Sequence, residues 1–228
     1  MILSKRRNRM VEDVERSLAL LRSETGINWI NAEFANGKGN RKVENRLNRA
    51  FLFCLRNVFQ QYTIVQELPI QPKTDTPYSP SEEKKPDFSF FSLELNDDLH
   101  EGVYFHIECK RLGSATSRSW NYNEAYVNNG IRRFTTDEFC YGIDRAMGAM
   151  VGYIEDMAFE DILMHVNTEI AAKLTVDPLT KHSPDWQEQA TTRLGHTFDR
   201  PFEKSPFTLH HLWLDLRGCY PRKVPPAA

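Results

Sequence analysis

YFHIECK, Tyr104 to Lys110, read together with the upstream dipeptide Pro86-Asp87, is the stretch that decides the fold. In an extended strand successive side chains point to opposite faces. Val103, Phe105, Ile107 and Cys109 then form an apolar row, while Tyr104, His106, Glu108 and Lys110 point the other way. One row suits a core and the other a site. A carboxylate and an ammonium two residues apart at the end of a buried strand cost desolvation free energy unless each finds a partner. Such a cost marks a candidate functional site.

Asp87 opens a second strand, FSFFSLEL, and Asn96-Asp97-Asp98 begins the turn into YFHIECK, so the two strands are expected as a hairpin. Folding back at that turn brings Asp87 beside Glu108 and Lys110. Tyr62 to Gln71 alternates and reads as the first strand of the set. The segment between them carries prolines 72, 77, 80 and 86 and is a loop, either a plain surface connection or a flap.

Before the strands, Lys42 to Gln61 places Val43, Leu47, Phe51, Cys54, Leu55, Val58 and Phe59 along one helical side. Glu44 lies beside that stripe, where a first-turn glutamate ordinarily complements the helix dipole. Arg41, Lys42, Arg46 and Arg49 make the segment locally basic, as solvated helix faces often are. Residues 11 to 22 space Val11, Val14, Leu18 and Leu21 as an amphipathic structural helix ending near Gly26, and Asn31 to Asn40 reads as a loop.

After Arg111 a polar loop precedes helical patterns at about 121 to 134 and 141 to 155. The second has glycines 142, 148 and 152, which weaken an isolated helix but permit close packing against a sheet. A further helix is expected near 158 to 173, loop over most of 174 to 206, and a late strand, TLHHLWLDL, at 208 to 216.

At 228 residues, 40% hydrophobic and 26% charged, the chain is expected to form one α/β domain: a helical extension over 1–40, the motif-bearing core over 41–155, and a helix, loop and late strand over 156–228. A net charge of -2 excludes binding a polyanion by bulk charge, so nucleic acid would have to be met by local patches. Cys54, Cys109, Cys140 and Cys219 show no metal-site spacing and read as free thiols of a reducing compartment. MILSKRRNRM followed by VEDVERSLALL is neither a signal peptide nor a spanning helix, giving a cytoplasmic, membrane-free expectation.

An aspartate at a strand start, Glu-x-Lys on the neighbouring strand and a glutamate from the preceding helix resemble the PD-(D/E)XK nuclease superfamily. Pro86-Asp87 matches the first half of its motif, Glu108-Cys109-Lys110 the second, and Glu44 the helix acid of many members. The resemblance covers about residues 41 to 155 and implies a restriction-endonuclease-like mixed central sheet, four-stranded at its core and flanked by helices. It also implies a Mg2+-dependent endodeoxyribonuclease in which Mn2+ substitutes. Asp87, Glu108 and the Cys109 carbonyl would be metal ligands, with Glu44 a further ligand or a holder of water, and Lys110 would orient or help activate the attacking water and offset charge on the phosphate. Implied partners are nucleic acid, DNA ahead of RNA, with room for a protein activator, a homo-oligomer and a role in bacterial anti-phage or restriction-type defence. The alternatives are a catalytically silent nucleic-acid-binding or assembly subunit of the same fold, and an unrelated α/β protein with an accidental Glu-x-Lys.

Other polar residues carry weaker signals. His106 is read as a satisfied core histidine ahead of a carboxylate partner. His196 with Arg200 would contact a phosphate or tie down a loop, and His210 and His211 fall on opposite strand faces. Arg132, Arg133 and Arg145 form either a phosphate-facing surface or a solvated helix face, outside the catalytic set.

Overall fold

The computed structural model describes residues 2–35, 43–60, 62–68, 84–92, 103–115, 120–142, 145–183, 186, 190–201 and 205–220, and the side chains of these except 2–8, 92, 103 and 104. Prolines 72, 77 and 80, the Asn96-Asp98 turn, Arg41, Lys42 and the side chains of Val103 and Tyr104 lie outside them.

Three helices open the chain: α1 (Ile2–Arg22), α2 (Glu24–Ala35) and α3 (Val43–Val58). The strands β1 (Tyr62–Gln66), β2 (Phe88–Ser92) and β3 (Val103–Leu112) follow. Next come α4 (Tyr122–Tyr126), a π-helical segment (Val127–Ile131), α5 (Arg132–Thr135), β4 (Met147–Ile154), α6 (Phe159–Lys173), β5 (Thr180–Lys181), β6 (Thr191–Phe198) and β7 (Phe207–Asp215). The strands form one seven-stranded sheet in the order β1-β2-β3-β4-β7-β6-β5. The β1-β2-β3 and β7-β6-β5 ladders are antiparallel, while β3, β4 and β7 run parallel. The chain is thus mixed α/β, with a mixed sheet covered by helices.

Helices cover both sheet faces because both faces carry apolar rows. On one side Val11, Val14, Leu18 and Leu21 of α1 and Leu47, Phe51 and Leu55 of α3 pack with Phe105, Ile107, Cys109, Val151, Tyr153, Leu212 and Leu214. On the other, Tyr126, Val127 and Ile131, with Ile162, Val166 and Ile170 of α6, pack on Leu112, Met150, Ile154, Leu209 and Trp213. Each fully buried side chain of this kind contributes roughly 1.5–3 kcal/mol. The segment expected as a helical extension therefore supplies part of the main core.

Several expectations about elements need correction. The chain breaks between helices at Ser23, and Gly26 lies inside α2, where a Cβ would fall 2.3 Å from the Leu21 carbonyl oxygen. The expected loop from Asn31 begins inside α2, which runs to Ala35. The pattern at 141 to 155, expected as a helix, contains β4, a strand buried at every position. Because β4 is covered on both faces, its apolar run does not alternate, and glycines four apart imitate helical spacing. Those glycines are required by packing: a Cβ at Gly148 would lie 2.8 Å from Phe134 Cε1, and one at Gly152 would lie 2.3 Å from Leu112 Cδ1. The stretch expected as loop over 174 to 206 holds β5 and β6. In β6 Thr192 and His196 occupy buried positions, which hides the strand period from a reading based on apolar residues.

The helix near 121 to 134 is interrupted by the π segment. The expected helix at 158 to 173 and the late strand are found as α6 and β7. None of the four cysteines forms a disulfide. Among the described residues no helix is long and apolar enough to cross a membrane.

Two consequences are measurable. In an exposed helix Gly152→Ala would stabilise by about 1 kcal/mol, whereas in this strand overpacking should cost about 1–3 kcal/mol; urea denaturation of the variant reads the sign. Burial also holds His106 down to about 3, His196 to about 4 and His211 well below its ordinary value. The unfolded chain protonates these rings near pH 6.5 and the native chain does not, so their stability contribution is present above that pH and lost as pH falls. Between about pH 6 and 4.5, each such ring should remove up to ~1.4 kcal/mol per pH unit, seen as a falling urea midpoint.

Candidate active site at the open edge of β3

The β2 ladder onto β3 ends at Phe88 opposite Ile107. Beyond Ile107, β3 continues beside β4 alone on a parallel register through Leu112. A strand edge left in this way needs acceptors for its N–H groups. Asp87, directly before β2, supplies one: its Oδ2 accepts the Cys109 N–H at 2.7 Å. Its other oxygen, Oδ1, accepts from Asn48 Nδ2 at 3.0 Å. The buried Asn48 in turn accepts the Tyr153 hydroxyl at 3.0 Å through Oδ1. Burial pushes the Asp87 carboxyl well above the usual aspartate range, and Glu108 and Glu44 add to that, against the opposing effects of Lys110 and the Cys109 N–H.

Glu108 faces away from Cys109 and its side chain is only 1% exposed. Its Oε1 accepts from Lys110 Nζ and from Arg133 Nη1, each at 2.7 Å. Among the described residues the buried Oε2 has no hydrogen-bond partner. Lys110 Nζ also donates to the Cys109 carbonyl at 2.8 Å and to Glu44 Oε1 at 3.2 Å. Burial alone would lower the lysine's pKa, but Glu108, Asp87 and Glu44 outweigh it and keep the ammonium above its ordinary value. The four residues expected at the site, Glu44, Asp87, Glu108 and Lys110, are therefore joined in one hydrogen-bonded and electrostatic cluster.

Arg133, weighed as a surface residue, belongs to this cluster. Besides Glu108 it donates to the Tyr141 hydroxyl at 3.1 Å, and its guanidinium lies over the Tyr141 and Phe139 rings at 5.6 and 5.7 Å. Asn48 was also missed, although it stands four residues after Glu44 and so shares its helix side. Nothing in the local pattern marks Tyr141 or Tyr153.

The remaining candidates have structural places. His106 accepts the Gly142 N–H at Nδ1, 3.2 Å away, and is a satisfied core histidine. Arg200 ties down a loop by donating to the carbonyls of Tyr141, Gly142 and Arg145. His196 packs against Phe198 and His211. Arg132 turns to Glu138, and Arg49 is held by Glu33 and Arg46 by the Phe34 carbonyl. A groove of about 620 Å³ beside α1 and β6 is lined by Glu12, Glu15, Trp186 and Arg193 among others, and by none of the cluster residues.

The donors suit a hard divalent ion, being carboxylates and one carbonyl, and the orphaned Glu108 Oε2 is a buried acceptor still lacking a partner. Among the described residues, however, no three His, Cys, Asp or Glu side chains stand together as a metal centre. Lys110 Nζ is on several of the oxygens such an ion would use.

Searches against protein-family profiles, curated proteins and solved structures find no match. Fold and site together define a mixed α/β protein with a buried acid-lysine-arginine cluster at the edge of its central sheet. Asn48→Ala should cost about 1–3 kcal/mol by stripping partners from Asp87 and the buried Tyr153 hydroxyl, measured as a lowered urea midpoint with an unchanged circular dichroism spectrum.

Proposed function

We propose that this chain is a metal-dependent nuclease of restriction-endonuclease-like fold that hydrolyses phosphodiester bonds, with DNA as substrate and Mg2+ as the ion. The observation carrying the proposal is the convergence of Glu44, Asp87, Glu108 and Lys110 at one open strand edge, with Glu108 Oε2 buried and unpartnered. A fold does not retain an uncompensated buried acceptor without cost, and a cation is its natural complement.

Asp87, Glu108 and the Cys109 carbonyl would hold the ion, with Glu44 at its margin. When bound, the ion supplies positive charge against the negative charge that a phosphodiester accumulates on attack. Lys110 would orient or help activate the attacking water and offset charge on the phosphate. Arg133 holds Glu108 by donating to its Oε1, and Asn48 holds Asp87 in place. The membership of an anti-phage or restriction-type system, an activating protein partner and a homo-oligomer rest on the resemblance alone.

A second reading has one observation in its favour. The Lys110 ammonium already satisfies three oxygens, as a purely structural ion pair would in a catalytically silent nucleic-acid-binding or assembly subunit. Incubation of supercoiled plasmid with the protein and Mg2+ or Mn2+ separates the two. Ion-dependent nicking or linearisation is expected, reduced about 100-fold or more in Asp87→Ala and Lys110→Ala. Equal cleavage by variants and wild type would remove the assignment, and a chain that neither cleaves nor takes up an ion would support the silent subunit.

A further inference from the structure

Lys110 spans the oxygens of Glu44, Glu108 and Cys109 that an ion would use, whereas Arg133 shares only Glu108 Oε1 with it. An ammonium has three N–H donors and no acceptor. Here they meet three oxygens, Glu108 Oε1 at 2.7 Å, the Cys109 carbonyl at 2.8 Å and Glu44 Oε1 at 3.2 Å. That set of two carboxylates and a carbonyl is also what a hard divalent ion would take. Two cations cannot share those oxygens inside a poorly solvated site, because their repulsion is only weakly screened there.

Arg133 differs in every relevant respect. It touches Glu108 through the same Oε1, but contacts neither Glu44 nor the Cys109 carbonyl among the hydrogen bonds of the described residues. Its planar fork is anchored to the Tyr141 hydroxyl and lies against two aromatic rings. Lysine, by contrast, carries a compact charge on a flexible four-carbon stem. That stem passes Gly130 of the π segment, where a Cβ would come within 3.5 Å of Lys110 Cγ.

We infer that the Lys110 ammonium holds the cation position of this site in the ion-free chain, so that uptake of a divalent ion and withdrawal of Lys110 from Glu44, Glu108 and the Cys109 carbonyl are one linked event. This rests on the metal-site reading above. Arg133 stays on Glu108 throughout, sparing that buried carboxylate the loss of both partners at once. The freed ammonium is then available to the substrate phosphate, so the site arms its cationic residue only when the ion arrives.

The test is calorimetric titration of MnCl2 and MgCl2 into wild type, Lys110→Met, Arg133→Met and an Asp87→Ala/Glu108→Gln control, with the Lys110 side-chain nitrogen of the wild-type protein followed by NMR. Lys110→Met should bind Mn2+ at least about tenfold more tightly than wild type, a gain that Arg133→Met should not show. Ion addition should move the Lys110 resonance of the unmutated chain, a readout that does not depend on the variants folding well. Equal affinities of wild type and Lys110→Met, an equal gain in Arg133→Met, or an unmoved resonance on ion binding would overturn the inference while leaving the metal site standing. Uptake by neither wild type nor Lys110→Met beyond that of the control would remove both.

Discussion

The bond from the Cys109 N–H to Asp87 Oδ2 is the constraint on which the site depends. β2 starts two residues too late to pair with Cys109, since Phe88 faces Ile107 and Cys109 would face Pro86, so a side chain takes over from the ladder where the strand leaves it. That substitution fixes Asp87 against the backbone between Glu108 and Lys110. It also keeps the edge of β3 open, and through that opening Lys110, on one face of the sheet, reaches Glu44 on the helix layer of the other. Had β2 begun earlier, a backbone carbonyl would satisfy Cys109 and the carboxylates would have no common meeting place.

The charges gathered there are close to balance. Glu44, Asp87 and Glu108 face Lys110 and Arg133, three carboxyl groups against two cations. Burial raises the Asp87 carboxyl, so a proton on Asp87 brings the ion-free cluster nearer to neutrality. A divalent ion would favour the ionised form of the same group and so compete with that proton. Buried ion pairs of this kind are poor sources of stability, since desolvation offsets most of their attraction. The neighbouring Arg111–Glu155 pair, closed by the Tyr220 hydroxyl at 2.5 Å, shows how the fold completes a pair that has no orphan acceptor: both Glu155 oxygens are taken. Glu108, by contrast, keeps Oε2 without a hydrogen-bond partner among the described residues.

The central strands explain why the element pattern misleads in one region. β4 sits between two parallel neighbours and two helical layers, so all eight of its residues are buried and none marks a face. A strand in that position has no polar alternation, and its glycines answer to Phe134, Leu112 and Trp213 instead of to a backbone turn. β6 errs in the opposite direction. Its inward positions include Thr192 and His196, polar residues that a reading by hydrophobicity assigns to solvent.

What the sequence determined by itself was local. Strict alternation through Phe105, Ile107 and Cys109 defined β3 and its buried row, the placement of Pro86-Asp87 before FSFF defined the start of β2, and helical spacing defined α3 and α6. These depend on neighbours a few residues apart, and the chain carries them in its pattern. Only the tertiary structure decided that Arg133 and Asn48 join the cluster, that Arg200 serves a loop, and that the Lys110 ammonium rests on three oxygens. Apart from the two bonds Lys110 makes within β3, those contacts span tens of residues and depend on strand order and on where one ladder stops, neither of which leaves a period in the sequence.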